Sequence, residues 1–167
     1  MAQRVIRMLT VAAGAAAAVV ISPALAGPAT AAPAPAQQSI SPTEGQCGLD
    51  GTLIVGGPGP DVLKGTPGND IILGLGGDDV IDGGGGNDLI RGGPGDDTIT
   101  GGKGNDCLYG GDDEDSLDGS DGDDVVWGDS QDDHLEGGPG RDELNGGDGF
   151  DYHYDWDPKD TVMYLEY

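Results

Sequence analysis

From Gly56 to Tyr154 the chain divides into eleven consecutive nine-residue units without insertion or deletion. The first residue of every unit is Gly and the sixth is Asp, while the eighth is aliphatic in ten units and His153 in the last. Such a short period leaves few architectures open, because a nine-residue unit cannot bury a core by itself and must stack on its neighbours. The unit Gly92-Gly93-Pro94-Gly95-Asp96-Asp97-Thr98-Ile99-Thr100 reads as a six-residue glycine-rich turn followed by a three-residue strand. Glycine lets a tight turn reach positive φ and lets carbonyls converge without a Cβ in the way. Strand alternation then turns the eighth residue inward and the seventh and ninth outward.

Composition agrees with a stacked repeat and excludes an ordinary globular enzyme. Of 167 residues 34 are Gly and one is Phe, too few bulky side chains for a large core. Acidic residues outnumber basic ones 31 to 7, for a formal charge of −24. That charge argues against nucleic acid and anionic membrane surfaces as partners and in favour of cations. A chain this acidic and this poor in apolar residues stays disordered unless something neutralises it.

Units such as Gly83-Gly84-Gly85-Gly86-Asn87-Asp88-Leu89-Ile90-Arg91 and Gly101-Gly102-Lys103-Gly104-Asn105-Asp106-Cys107-Leu108-Tyr109 resemble the GGxGxDxUx nonapeptide of RTX (haemolysin-type) calcium-binding repeats. The resemblance covers residues 56–154. It implies an all-β fold, a right-handed parallel β-roll with two nonapeptides per coil, in which Ca²⁺ sits between successive turns on the same edge. The expected metal ligands are then Asp61, Asp79, Asp97, Asp115, Asp133 and Asp151 on one edge and Asp70, Asp88, Asp106, Asp124 and Asp142 on the other.

The chemistry of the residues points the same way independently. Ca²⁺ takes six to eight oxygens from carboxylates and backbone carbonyls, and a glycine turn ending in Asp offers both. Aspartates stacked at the ~4.8 Å strand spacing repel one another unless a cation lies between them. Pairing neighbours along each edge gives up to nine sites. Solvated turn caps would not require Asp in all eleven units, since Asn or Ser would serve. The fourth position is Gly except at Asp113 and Gln131, so the sites at Asp115 and Asp133 are expected to be the weakest.

At the N-terminus, Arg4 and Arg7, the apolar run Leu9–Ile21 and the small-residue stretch Ala24-Leu25-Ala26 read as a secretory signal peptide over 1–26. The run is too short for the ~20 residues of a spanning helix, and no second span follows. Loss of Arg4 and Arg7 takes the formal charge to −26, which nine Ca²⁺ would bring to −8. Residues 27–46 read as a flexible Ala/Pro linker. Residues 47–55 form a degenerate repeat with Thr52 in place of Asp, expected to cap the first coil, and residues 155–167 a C-terminal cap.

No catalytic set emerges. The glycine strings lack a P-loop lysine, EF-hand spacing is absent, and His134 and His153 stand alone. The expected role is a secreted, non-catalytic, multi-site calcium-binding module that folds on binding Ca²⁺. Alternatives are an ice-binding or surface-adhesion roll, for which the mixed outer positions supply no regular Thr or Asn rank, and a non-catalytic partner of a separate secreted hydrolase.

The two outer faces differ. Even-numbered units place Ile71, Leu73, Leu89, Cys107, Tyr109, Val125 and Trp127 outside, an apolar strip of the kind that is covered or binds a protein partner. Odd-numbered units place mostly polar residues outside. The two cysteines, Cys47 and Cys107, conflict with an in-register bridge, because three coils separate them by roughly 14 Å. A bridge requires the N-terminal segment to leave the roll and cross the apolar strip; free thiols or an intermolecular pair are the alternatives.

Overall fold

The computed structural model describes residues 51–154 and 157–163. The signal-peptide and linker expectations, and residues 47–50, 155–156 and 164–167 of the two caps, lie outside these residues. The chain separates into two units, Met1–Gln38 and Ser39–Tyr167, and all described residues belong to the second.

Every regular element among the described residues is a strand. One sheet holds seven parallel strands in the order β1 (Thr52–Val55), β3 (Asp70–Leu73), β5 (Leu89–Pro94), β7 (Cys107–Asp112), β9 (Val125–Ser130), β11 (Glu143–Asp148) and β13 (Thr161–Met163). The other holds six, β2 (Val62–Lys64), β4 (Val80–Gly85), β6 (Thr98–Lys103), β8 (Ser116–Asp121), β10 (His134–Glu136) and β12 (Tyr152–His153). Consecutive strands alternate between sheets, so each coil contributes one strand to each. This is a parallel β-roll of about six turns, consistent with right-handed winding.

Paired residues are eighteen apart, as in Ile72 with Ile90 and Leu63 with Ile81. Two nonapeptides therefore make one coil. The shared register stacks the eighth positions into the core: Ile72, Ile81, Ile90, Ile99, Leu108, Leu117, Val126, Leu135 and Leu144 are each at most 1% exposed. With one aliphatic side chain per unit inside, the two sheets meet over a core only two side chains thick, and burial depends on the stack continuing.

The register extends beyond both ends of the regular repeat. Thr52 pairs with Asp70 and Ile54 with Ile72, so β1 adds a strand in phase before Gly56. Thr161 pairs with Glu143, so β13 keeps the eighteen-residue register where the sequence breaks its glycine pattern. Among the described residues no helix is long and apolar enough to cross a membrane.

The outer face of the seven-stranded sheet is closed at its centre. Leu89, Cys107, Tyr109 and Val125 are 0 to 6% exposed, with Ile71 and Trp127 packed against them. Cys107 is disulfide-bonded. On the six-stranded sheet, by contrast, the outward Val62 and Tyr152 are exposed.

Candidate metal centre

The turns entering the two sheets form the two edges of the roll, and each stacks its sixth-position Asp over the one a coil away. Asp79 N donates to Asp97 Oδ1 at 2.7 Å, Asp97 N to Asp115 Oδ1 at 2.8 Å, and Asp115 N to Asp133 Oδ1 at 2.9 Å. The other edge repeats the pattern from Asp88 N to Asp106 Oδ1 and from Asp106 N to Asp124 Oδ1, both at 2.7 Å. Ten of the eleven aspartates, Asp70 to Asp151, are buried, and Asp61 at the start is half-buried. The structure thus brings all eleven sequence-predicted residues into two rows, one per edge.

One oxygen of each carboxylate is engaged by the backbone; the other separates them into two groups. Oδ2 of Asp79, Asp88, Asp97, Asp106, Asp115, Asp124, Asp133 and Asp151 is buried and accepts no hydrogen bond. Asp61 Oδ2 instead accepts from Gly57 N, and Asp70 Oδ2 from Thr66 N at 2.6 Å and Thr66 Oγ1 at 3.0 Å. A buried acceptor without a donor is costly, and a carboxylate oxygen more so than a neutral one. Repeated along both edges, it leaves two rows of carboxylate oxygens whose charge no donor offsets.

The invariant first-position glycine follows from the same geometry. A Cβ on Gly83 would lie 2.6 Å from Asp88 Oδ2 and 2.5 Å from Gly101 O, and one on Gly119 would lie 2.6 Å from Asp124 Oδ2 and 2.7 Å from Gly137 O. Any side chain there would occupy the space where a carboxylate oxygen and the carbonyl of the next coil converge. Asp113 and Gln131, the non-glycine fourth positions, keep the turn at φ 85° and 77°, and Gln131 Nε2 donates to Asp113 Oδ1 at 2.7 Å. The orphaned oxygens of Asp115 and Asp133 match those of their neighbours.

Electrostatics express the same frustration. Burial, opposed by the backbone hydrogen bond and reinforced by the neighbouring aspartates, raises Asp88 and Asp97 to about 6, Asp106, Asp124 and Asp133 to about 7, and Asp115 to about 8. Near neutral pH these rows are poised between taking a proton and taking a metal ion. Among the described residues no three carboxylate, imidazole or thiol groups converge on one point. An ion on either edge would therefore draw most of its oxygens from turn carbonyls, a donor set that suits a hard cation.

Two residues escape the sequence pattern. Asp160 accepts from Asp142 N at 3.0 Å through Oδ1, which places it in the aspartate row one coil beyond Asp142. Its phase was available in the sequence, since Val162 follows at the inward slot, but Asp155 replaces the glycine that marks a unit. Its Oδ2 accepts from Asp157 N at 3.2 Å, so its second oxygen, like those of Asp61 and Asp70, is engaged by the chain. Thr52 holds the equivalent place before Asp70 without a carboxylate.

A parallel roll with stacked turns, two rows of buried aspartates and carbonyls converging on their free oxygens is a calcium-binding solenoid. The family model for the RTX calcium-binding nonapeptide repeat matches residues 55–90, 82–117 and 118–152. The chain belongs to that family, and its repeats form a calcium-binding β-roll module. No curated protein matches the sequence.

Proposed function

We propose that this protein is a secreted, non-catalytic module whose roll forms when Ca²⁺ enters the two aspartate rows. The ligands in this reading are Asp61, Asp70, Asp79, Asp88, Asp97, Asp106, Asp115, Asp124, Asp133, Asp142 and Asp151, with turn carbonyls completing each shell, for up to about nine ions. The observation that carries it is the eight buried carboxylate oxygens without a donor, distributed over the two edges. The protein's own part is to present those oxygens and exclude water from them; the ions supply the neutralising charge. Occupied, the rows bind neighbouring coils together, so ion binding and folding are linked.

Export is supported by the N-terminal charge and apolar pattern, and an extracellular module works at affinities on the order of 10⁻⁴ to 10⁻³ M per site. A protein partner on the outer face of the seven-stranded sheet would meet Ile71, Leu73 and Trp127 rather than its centre, which is already buried. Circular dichroism of the chain in chelator and then in millimolar Ca²⁺ tests the reading. A coil spectrum that converts to β on adding Ca²⁺ is expected; a β spectrum already complete in chelator would overturn it.

A further inference from the structure

Outward positions on a solenoid sheet are ordinarily wet, yet Cys107 at the centre of the seven-stranded sheet is 0% exposed and Tyr109 5%. Burial falls off along the same face, to 62% exposure at Leu53 on β1. Arg91 lies over the Tyr109 ring, 4.4 Å from its centroid, and Trp127 packs beside it, so described side chains cover part of this face. Cys107 is disulfide-bonded, and the chain contains one other cysteine, Cys47.

We propose that the segment preceding β1 is the cover: it leaves the roll, crosses the outer face over β3 and β5, and is pinned to β7 by a Cys47–Cys107 disulfide. Lengths permit this. From β1 to β7 is three strand steps, about 14 Å. The five-residue path from Cys47 to Thr52 reaches at most about 17 Å, and a disulfide needs its Cα atoms only about 5.5 Å apart. A path this short runs across the strands, over the strip containing Ile71 and Leu89.

The bridge forms when the two thiols pass two electrons and two protons to an external disulfide, which is reduced to two thiols. It closes a loop that holds the first three coils of the seven-stranded sheet together even before ions bind. By restricting the unfolded chain it should lower the Ca²⁺ concentration needed for folding. Spread over several ions, the effect at the midpoint is about twofold.

Peptide mapping of the full-length chain, folded in Ca²⁺ under oxidising conditions and digested without reductant, tests the pairing. A monomer yielding one peptide pair linked through Cys47 and Cys107 is expected; two alkylatable thiols, or a linkage between chains, would overturn it. The cover is tested separately in a Cys47→Ser, Cys107→Ser double variant. This variant should fold at about twofold higher Ca²⁺ and, once folded, bind a hydrophobic dye several-fold more than the parent. A midpoint and dye signal both equal to the parent's would show that the segment does not cover the face.

Discussion

The two edges of the roll share one hydrogen-bonding plan and differ in charge. Beside the buried aspartates, each edge carries an outer ladder made by the fifth residue of each turn, whose side-chain oxygen accepts the backbone N–H one coil on. On the edge of Asp88 and Asp106 the ladder begins with amides and ends on one acid: Asn87 N donates to Asn69 Oδ1 at 2.8 Å, Asn105 N to Asn87 Oδ1 at 3.0 Å, and Asp123 N to Asn105 Oδ1 and Arg141 N to Asp123 Oδ1, both at 3.1 Å. On the edge of Asp97 and Asp115 the corresponding residues are Asp78, Asp96, Glu114 and Asp132, all exposed, with Asp96 N on Asp78 Oδ1 and Glu114 N on Asp96 Oδ1, both at 3.3 Å. Backbone strain follows the same division. Leu75, Asp113, Asp129 and Gln131 hold positive φ on the acidic edge, against Ser120 alone on the amide edge. The fold holds either ladder because the hydrogen bond needs only an acceptor, so the acidic edge carries additional exposed negative charge beside its aspartate row.

The largest effect should come from filling the space that both edges share. Gly119→Ala, on the amide edge, places a methyl group against Asp124 Oδ2 and the carbonyl of Gly137. Thermal unfolding in saturating Ca²⁺ should show a loss of about 1–3 kcal/mol from overpacking, with at least one ion fewer bound by calorimetry. Equal stability and equal stoichiometry would mean that the first-position glycine does not guard an ion.

That glycine also shows what the sequence disclosed and what it hid. The period predicted the inward eighth residue, and the resemblance to RTX repeats implied the eighteen-residue register and the two aspartate rows. At the fourth position Asp113 and Gln131 adopt the left-handed conformation and bond to one another, so the turn keeps its shape, while the expected weakness of the sites at Asp115 and Asp133 is a matter for ion-binding measurements. The outer ladders and the capped Oδ2 atoms of Asp61 and Asp70 were not legible. The ladders depend on which atoms meet across a coil, eighteen residues apart, and the caps on which turn atoms meet four residues apart, and no composition signal marks either. The apolar strip was legible as a strip, but its burial depends on chain outside the repeat.

Acidification should act on both edges together. A carboxyl whose folded pKa is raised above its unfolded value holds extra protons in the fold, so the ion-free roll is most stable at low pH and loses stability as pH rises through the folded pKa. Asp115 at about 8 and Asp88 at about 6 bracket that window. In chelator, the β signal should grow as pH falls from 8 toward 6, while Ca²⁺ affinity, competing with the same protons, should fall severalfold over that range. Titrations at pH 8 and pH 6 that superimpose would contradict the burial of these oxygens.

A smaller change would convert one ladder into the other. Asp78→Asn with Asp96→Asn keeps both hydrogen-bond acceptors and removes two exposed charges from the acidic edge. Interactions of exposed charges are worth roughly 0.2–1 kcal/mol, so Ca²⁺ affinity should drop by about two- to five-fold at low salt, with the difference shrinking as salt screens it. An unchanged affinity at low salt would show that the outer acids do not assist the row beside them.

In the proposed reading, the buried carboxylate oxygens without donors are calcium ligands whose occupation makes the roll. Native mass spectrometry through a Ca²⁺ titration, read beside circular dichroism of the same samples, measures both halves at once. Several ions, up to about nine, should load over the same concentration range in which β structure appears. A folded roll carrying no Ca²⁺, or ions binding to a chain that stays unfolded, would contradict it.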